Sequence, residues 1–145
     1  MRNLHHLVFL FIVSISLFLV SSQSLFAQGG DFEKAPPGGN YKKVSSLVEL
    51  PDFIPGLGVL YVDPGTLPAG PFLAYDRDGN LVSSVYMVPL KDLNDHKAFE
   101  NLNVAQQKTD HVDLYYNAGH PGVPVPHYHI VLWYVSPEKA EALKQ

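Results

Sequence analysis

Proline and glycine divide this chain into short apolar runs. Its 145 residues include 12 prolines and 11 glycines, and turn-forming pairs such as Pro64-Gly65 stand between the runs. Because proline ends helices and disrupts central strands, the spacing favours short strands joined by tight turns. No series of long strand–helix–strand crossovers is visible. The pattern predicts an α+β fold, which is a mainly antiparallel β-sheet with a short internal helix and a C-terminal helix.

The individual elements follow from the same punctuation. Asp78-Gly79-Asn80 predicts a tight hairpin turn with positive φ. Ser136 is placed to cap a C-terminal helix, with Pro137 at its first helical position. The last strand is apolar on both faces after Tyr128, which predicts a central position in the sheet or a subunit interface. Strands are predicted over 59–62, 72–75, 81–88, 112–116 and 127–135, and the internal helix over 89–101.

The N-terminus has the pattern of a secretory signal. Arg2 precedes an apolar run of 14 residues, 7–20, and Ala27 stands at a plausible cleavage position. The run is shorter than the roughly 20 apolar residues that span a bilayer, so we expect cleavage, no stable membrane insertion afterwards, and a periplasmic or secreted product. The predicted organisation is a signal peptide (1–27), a flexible linker (28–46) rich in glycine and proline, and a single α+β domain (47–145).

Composition narrows the classes of function. The formal net charge is −4. Removal of the leader, which contains Arg2 and no acidic residue, would make the remaining chain more negative by one charge. A mildly acidic domain is a poor partner for nucleic acid, which is bound by basic patches. The chain has no cysteine, which excludes disulfides, thiolate zinc sites, iron–sulfur clusters and a cysteine nucleophile.

Histidines concentrate near the C-terminus. His127 and His129 lie on one face of the last predicted strand, and His111 and Asp113 share a face of the strand before it, because side chains alternate along a strand. Whether the two pairs meet depends on the register, which a ten-residue loop leaves open. A slip of one residue turns one pair to the opposite face. His120 lies in the loop and can fold over either arrangement.

These side chains have the chemistry of a site for a divalent metal, with zinc the first candidate. Neutral imidazoles and a carboxylate suit zinc and related ions, and a His-x-His pair on a strand supplies two ligands at once. The candidate ligand set is His120, His127 and His129, with His111 and Asp113 as additions. Four ligands would fill the site, whereas three ligands and a water could generate hydroxide. The alternative is that the histidines only form hydrogen bonds within the sheet.

Several phrases of the chain occur together in one known family. They are the stretches 53–64, 84–90 and 111–135, together with the Gly70-Pro71 step. The set resembles the small exported bacterial proteins of domain of unknown function 5602. The resemblance carries His120 and His127 over as family positions, whereas His129 stands where the family usually has aspartate. It implies an exported, β-rich protein that forms oligomers, and it implies no established activity.

Three functions remain open at this point. The first is an exported binding protein whose histidine site holds a divalent metal or a small ligand. The second is a metal-dependent hydrolase that uses a metal-bound water, with Asp113 as the base. The third is a structural or stress-related homo-oligomer, in which the aromatic last strand forms the interface and the histidines have no chemical role.

Overall fold

The computed structural model describes residues 32–145, and its main feature is a six-stranded antiparallel sheet. The strands lie in the order β1-β2-β3-β4-β6-β5, so neighbours in sequence are mostly neighbours in space. The sheet is accompanied by two short helices and two 3₁₀ turns. The strands are β1 (Lys42–Lys43), β2 (Val59–Val62), β3 (Phe72–Tyr75), β4 (Leu81–Pro89), β5 (His111–Asn117) and β6 (His127–Trp133); the helices are α1 (Leu90–Asn94) and α2 (Pro137–Ala142), and the 3₁₀ turns are Val44–Ser46 and Pro64–Thr66.

Strands β3 and β4 occupy the middle of the sheet, and β6 lies next to β4. Every residue of β4 is buried. Strand β6 lies between β4 and β5, one place from the edge of the sheet, and the residues on its outer face are half-buried. The β3–β4 hairpin turns where the sequence predicted. Gly79 has φ of +76°, and the Asp76 amide donates to the Asn80 carbonyl at 3.0 Å.

The larger core packs on one face of the sheet. It contains Val62 of β2, Phe72 of β3, Met87 of β4 and Trp133 of β6. The irregular segment 44–57 and helix α2 cover this face, and a hydrogen bond from the Gly56 amide to the Leu143 carbonyl joins these two coverings. The result is a two-layer arrangement, in which the sheet forms one layer and the irregular segment 44–57 with helix α2 forms the other.

The internal helix is shorter than the sequence predicts. The pattern indicates a helix over 89–101, but α1 ends at Asn94. The chain leaves the helix at once, since His96 has φ of +56°. The physical reason is the missing apolar stripe: Leu93 remains 45% exposed, so no buried face stabilises further turns. The C-terminal helix begins at Pro137 with Ser136 at its N-cap, as predicted.

The segment expected to be a flexible linker lies partly against the sheet. The leader and residues 28–31 fall outside the described residues. From residue 32 onward the chain has contacts: Phe32 packs edge-on against Tyr41, and Lys42 and Lys43 pair with β2. Phe32 and Tyr41 supply apolar surface that the glycine-rich composition of this segment did not lead us to expect. Residues 32–46 therefore contact the sheet at these points, and the predicted division into linker and domain stays a prediction. Within 32–145, none of the helices has the length and apolar character needed to cross a bilayer.

Candidate metal centre

Strand β6 presents two histidines to the core side of the sheet. Along β6 buried and half-buried residues alternate, so His127 and His129 share the face that Trp133 occupies in the core. His127 is fully buried and His129 is 2% exposed. Fully buried histidines are uncommon and need partners for both ring nitrogens.

The third histidine comes from the loop between β5 and β6. His120 and Val123 form a small bridge, in which each amide donates to the other's carbonyl at 3.0 Å. Glycine makes this fold possible. Gly119 has φ of +125°, and a Cβ there would lie 2.8 Å from the Pro124 carbonyl oxygen. The tight loop returns His120, which is half-buried, over the two strand histidines.

The three imidazoles form one group. The ring centroids of His120 and His127 lie 4.9 Å apart, those of His127 and His129 also 4.9 Å, and those of His120 and His129 5.6 Å. One ring nitrogen from each histidine lies within 4.8 Å of the others. Tetrahedral zinc with Zn–N bonds of about 2.0–2.1 Å needs nitrogens about 3.3 Å apart, so modest side-chain shifts would complete the geometry.

Two of the histidines are fixed in the tautomer that a metal ligand needs. The Nδ1 atom of His127 lies 2.7 Å from the Val125 carbonyl oxygen, and Nδ1 of His120 lies 2.9 Å from the Pro121 carbonyl oxygen. A carbonyl oxygen only accepts hydrogen bonds, so each Nδ1 carries the proton and each Nε2 keeps its lone pair. Such backbone bonds orient metal-ligating histidines in known sites.

His129 completes the arrangement from the other side. Its Nε2 lies 2.9 Å from Nε2 of His127, and its Nδ1 lies 3.0 Å from the Tyr115 hydroxyl. Two nitrogen lone pairs cannot face each other at this distance, and 2.9 Å is too short for a metal ion between them. Because Nε2 of His127 keeps its lone pair, the proton of this contact is on Nε2 of His129. The Tyr115 hydroxyl can donate or accept, and it therefore satisfies His129 in either tautomer.

The environment keeps His129 neutral at neutral pH. Burial is the largest cause that lowers its pKa from 6.5 to about 4, and the neighbouring His127 and His120 contribute by disfavouring a second positive charge. A neutral imidazole is the form that binds metals. His129 therefore needs only a change of tautomer, and not the loss of a positive charge, to present Nε2 to a cation.

The register settles where the other two candidate ligands lie. Asp113 pairs with Val131 and His111 with Trp133, so both face the same side of the sheet as the β6 histidines. They are displaced along the strand, however, by about 7 Å for every two residues. Asp113 accepts a hydrogen bond from Trp133 Nε1 at 2.8 Å, and the His111 ring stacks on Trp133 at 5.9 Å. Both lie outside the three-histidine group.

Tyr115 is the site residue that the sequence did not single out. It pairs with His129 across the two strands, and it follows His111 and Asp113 at the alternating positions of β5. The alternation of side chains along β5 was the signal in the sequence, because it places Tyr115 on the same face as His111 and Asp113. The strand register, which the sequence left open, then places Tyr115 beside His129. A tyrosine near several other aromatic residues is more readily interpreted as core or interface.

A cavity of about 850 Å³ opens beside the histidines. His120 and His129 form part of its wall, and His111 and Asp113 lie on the same wall. The remainder is mainly apolar. The volume lies within the roughly 300–1,000 Å³ of typical small-molecule sites. The three histidines lie close enough to hold a metal ion, and two of them, His120 and His129, also line this cavity.

Comparison with known proteins identifies a relative of known structure. No protein-family model and no curated protein matches the chain. The crystal structure of hypothetical protein TTHB210 from Thermus thermophilus is similar, with 51% sequence identity over 66% of this chain and 88% of that one, and a TM-score of 0.59. The chain belongs to the TTHB210 family. TTHB210 is described as a hypothetical protein, so the function must be argued from the site.

Proposed function

We propose that the protein is an exported metal-binding protein. It holds one divalent ion through Nε2 of His120, His127 and His129, and zinc is the first candidate. The observation that carries the proposal is the convergence of three ring nitrogens within 4.8 Å. The backbone carbonyls that fix two of the tautomers support it. Three imidazoles without thiolates suit zinc and also copper, iron or nickel.

Metal content tests this proposal directly. Mature protein, residues 28–145, purified without a histidine tag and dialysed, should retain about one equivalent of metal by mass spectrometry. His120→Ala should lower zinc affinity by at least about tenfold, because it removes one of three ligands. His96→Asn is the matched control, since His96 is exposed and distant in sequence, and asparagine tolerates its positive φ. Equal metal retention by both variants would contradict the proposal.

Export belongs to the same proposal. The 7–20 apolar run and Ala27 support a cleaved signal, and the resemblance to domain of unknown function 5602 points to the same compartments. Expression of the full chain in a bacterial host, followed by fractionation and N-terminal sequencing, should give a periplasmic or secreted product beginning at Gln28. A full-length product in the membrane fraction would contradict it.

A hydrolase is a second candidate because the cavity opens beside the three ligands. A three-ligand site with an accessible position can hold a reactive water. The proposed base, Asp113, lies on the same wall, and one of its oxygens accepts the Trp133 hydrogen bond. Zinc-loaded protein that cleaves activated esters, with loss of the activity in Asp113→Asn, would favour this function over simple binding.

An oligomeric role is a third candidate, and the outer face of β5 favours it. Val112, Leu114 and Tyr116 are 56%, 64% and 53% exposed, and β5 is an edge strand. An open strand edge beside an apolar strip can pair with the same edge of a second copy. Assembly of this kind is compatible with a metal site on the opposite face.

A further inference from the structure

The cavity beside the histidines has apolar walls and a polar end, which is its side along the β5 edge of the sheet. Its apolar walls come from the covering segment 44–57 and from the sheet. Its polar residues come mainly from β5, the following loop and β6, at this edge of the sheet, and Glu141 and Lys144 are added by α2 and the residues after it. The apolar walls include Val48, Leu50, Ile54, Leu57, Leu60 and Met87; the polar end includes His111, Asp113, Tyr115, Asn117, His120 and His129.

This division matches an amphiphile rather than a uniformly polar or uniformly apolar molecule. Apolar surface inside the walls is stabilised by burying hydrocarbon, at about 0.8 kcal/mol for each CH₂ group. Polar groups at one end would fix the orientation of a single head group, as in other small-molecule sites. A sugar or a nucleotide would leave many hydroxyl groups unpaired against the apolar walls.

The charge at the polar end indicates which head group fits. Asp113 contributes a negative charge there, and the cationic residue among the cavity-lining residues, Lys144, forms an ion pair with Glu141 on α2. Without a metal, the polar end would therefore repel an anion. A divalent ion on the three histidines reverses the local charge, and its open position accepts an oxygen ligand.

We infer that the cavity binds a carboxylate with a hydrocarbon tail, the carboxylate on the histidine-bound metal and the tail along the apolar walls. This inference rests on the proposed metal site and names the class of ligand that the site would take. Metal and tail then act together, so neither a short carboxylate nor the metal-free protein should bind well.

A chain-length series tests the inference. Acetate, hexanoate, octanoate and decanoate are titrated calorimetrically into the zinc-loaded protein and into chelator-treated protein. The affinity of the zinc-loaded protein should rise by about fourfold for each added CH₂ while the tail lies inside the cavity. Decanoate should bind chelator-treated protein at least about tenfold more weakly.

A matched pair of variants separates the cavity from general hydrophobic adsorption. Leu47→Asp places a charge on the cavity wall, at a position that is already 44% exposed, so folding should survive. Leu93→Asp changes a side chain with 45% exposure that lies away from this cavity, in an apolar depression beside Phe99 and Leu114. Decanoate affinity should fall at least about tenfold in the first variant and stay within twofold in the second.

The possible failures are distinguishable. A protein that takes up no zinc overturns the proposed function and this inference together. If the protein binds zinc but carboxylate affinity does not depend on chain length, the inferred amphiphilic ligand is wrong and the proposed metal site is unaffected. The same conclusion follows if both aspartate variants lose decanoate affinity equally. Decanoate binding that is equally tight after chelation overturns the placement of the carboxylate on the metal.

Discussion

At the scale of single residues, the hydroxyl group of Tyr115 is the contact that most directly tests how the histidines are oriented. It forms a hydrogen bond with Nδ1 of His129. Removal of a hydrogen-bond partner of a metal-ligating histidine lowers metal affinity by about 10- to 100-fold. We expect Tyr115→Phe to weaken zinc binding by about tenfold with little loss of stability, because Tyr115 is 40% exposed. Tyr116→Phe is the control, since it removes the same hydroxyl from the opposite face.

Competition with a chromogenic chelator measures both variants under the same conditions. An equal affinity in Tyr115→Phe and in the unaltered protein would show that the tyrosine does not support the ligand. A loss of affinity in both variants would point to a change in the strand rather than to the hydrogen bond.

The lowered pKa of His129 predicts how the metal-free protein responds to acid. The folded chain protonates this ring near pH 4 and the unfolded chain near pH 6.5, so between these values the unfolded state binds more protons. The free energy of unfolding therefore falls as the pH drops from 6.5 towards 4, and it is unaffected by this group above that window. His129→Gln should reduce the acid-induced fall in Tm by roughly 5 °C.

Thermal unfolding of chelator-treated protein at pH 7 and pH 4.5 gives the comparison. His96→Asn should keep the pH dependence of the unaltered protein, because His96 is exposed. An unchanged pH dependence in His129→Gln would mean that the ring is already charged in the folded protein or that it is not desolvated.

The grouping of His120, His127 and His129 could be predicted from the sequence, but the separation of Asp113 from them along the strands could not. The alternation of side chains predicts one face for His127 and His129, and the structure places both in the core face. Sharing that face did not bring Asp113 to the histidines, since it pairs with Val131. The offset between two strands depends on how the intervening loop folds, and composition does not encode it.

At the scale of elements, the β5–β6 loop determines whether His120 reaches the two histidines of β6. Gly119 adopts a backbone conformation that side chains rarely permit, and it approaches the Pro124 carbonyl too closely for a Cβ. Gly119→Ala should therefore shift the loop and lower zinc affinity at least about tenfold, while the sheet stays folded. Gly38→Ala is the matched control, because nothing lies within 4 Å of a Cβ there.

Zinc affinity and circular dichroism are measured for both Gly119→Ala and Gly38→Ala. Retained affinity in Gly119→Ala would show that His120 is dispensable or that the loop tolerates the change. Loss of strand signal would show that the loop stabilises the sheet itself.

The strands were predicted more reliably than the helices, for a physical reason. Turn residues bound the strands directly, as at Gly79, whose positive φ confirms the predicted hairpin. The internal helix had no such boundary, and its length depended on burial that Leu93 does not achieve. Where tertiary contacts decide the length of an element, as in α1, the local pattern overestimates it.

At the scale of the whole molecule, the exposed strip on β5 predicts self-association. Leu114 is 64% exposed on an edge strand, and a charge at this position should prevent two copies from pairing. We expect light scattering to show a larger assembly for the unaltered protein and a smaller one for Leu114→Glu. Leu67→Glu is the control, because Leu67 is 49% exposed and lies outside the apolar strip of β5. The same mass for all three proteins would contradict the prediction.

The hydrogen bond from Trp133 to Asp113 has a practical consequence. Trp133 is the single tryptophan of the chain, and it lies on the cavity wall that carries His129. All indole fluorescence of the protein therefore originates at the wall of this cavity, beside Asp113. Its emission wavelength is set by the Asp113 carboxylate and by whatever fills the adjacent space, and a paramagnetic ion such as copper(II) on the imidazoles would quench it. The protein thus carries its own optical reporter at the place where its chemistry is proposed.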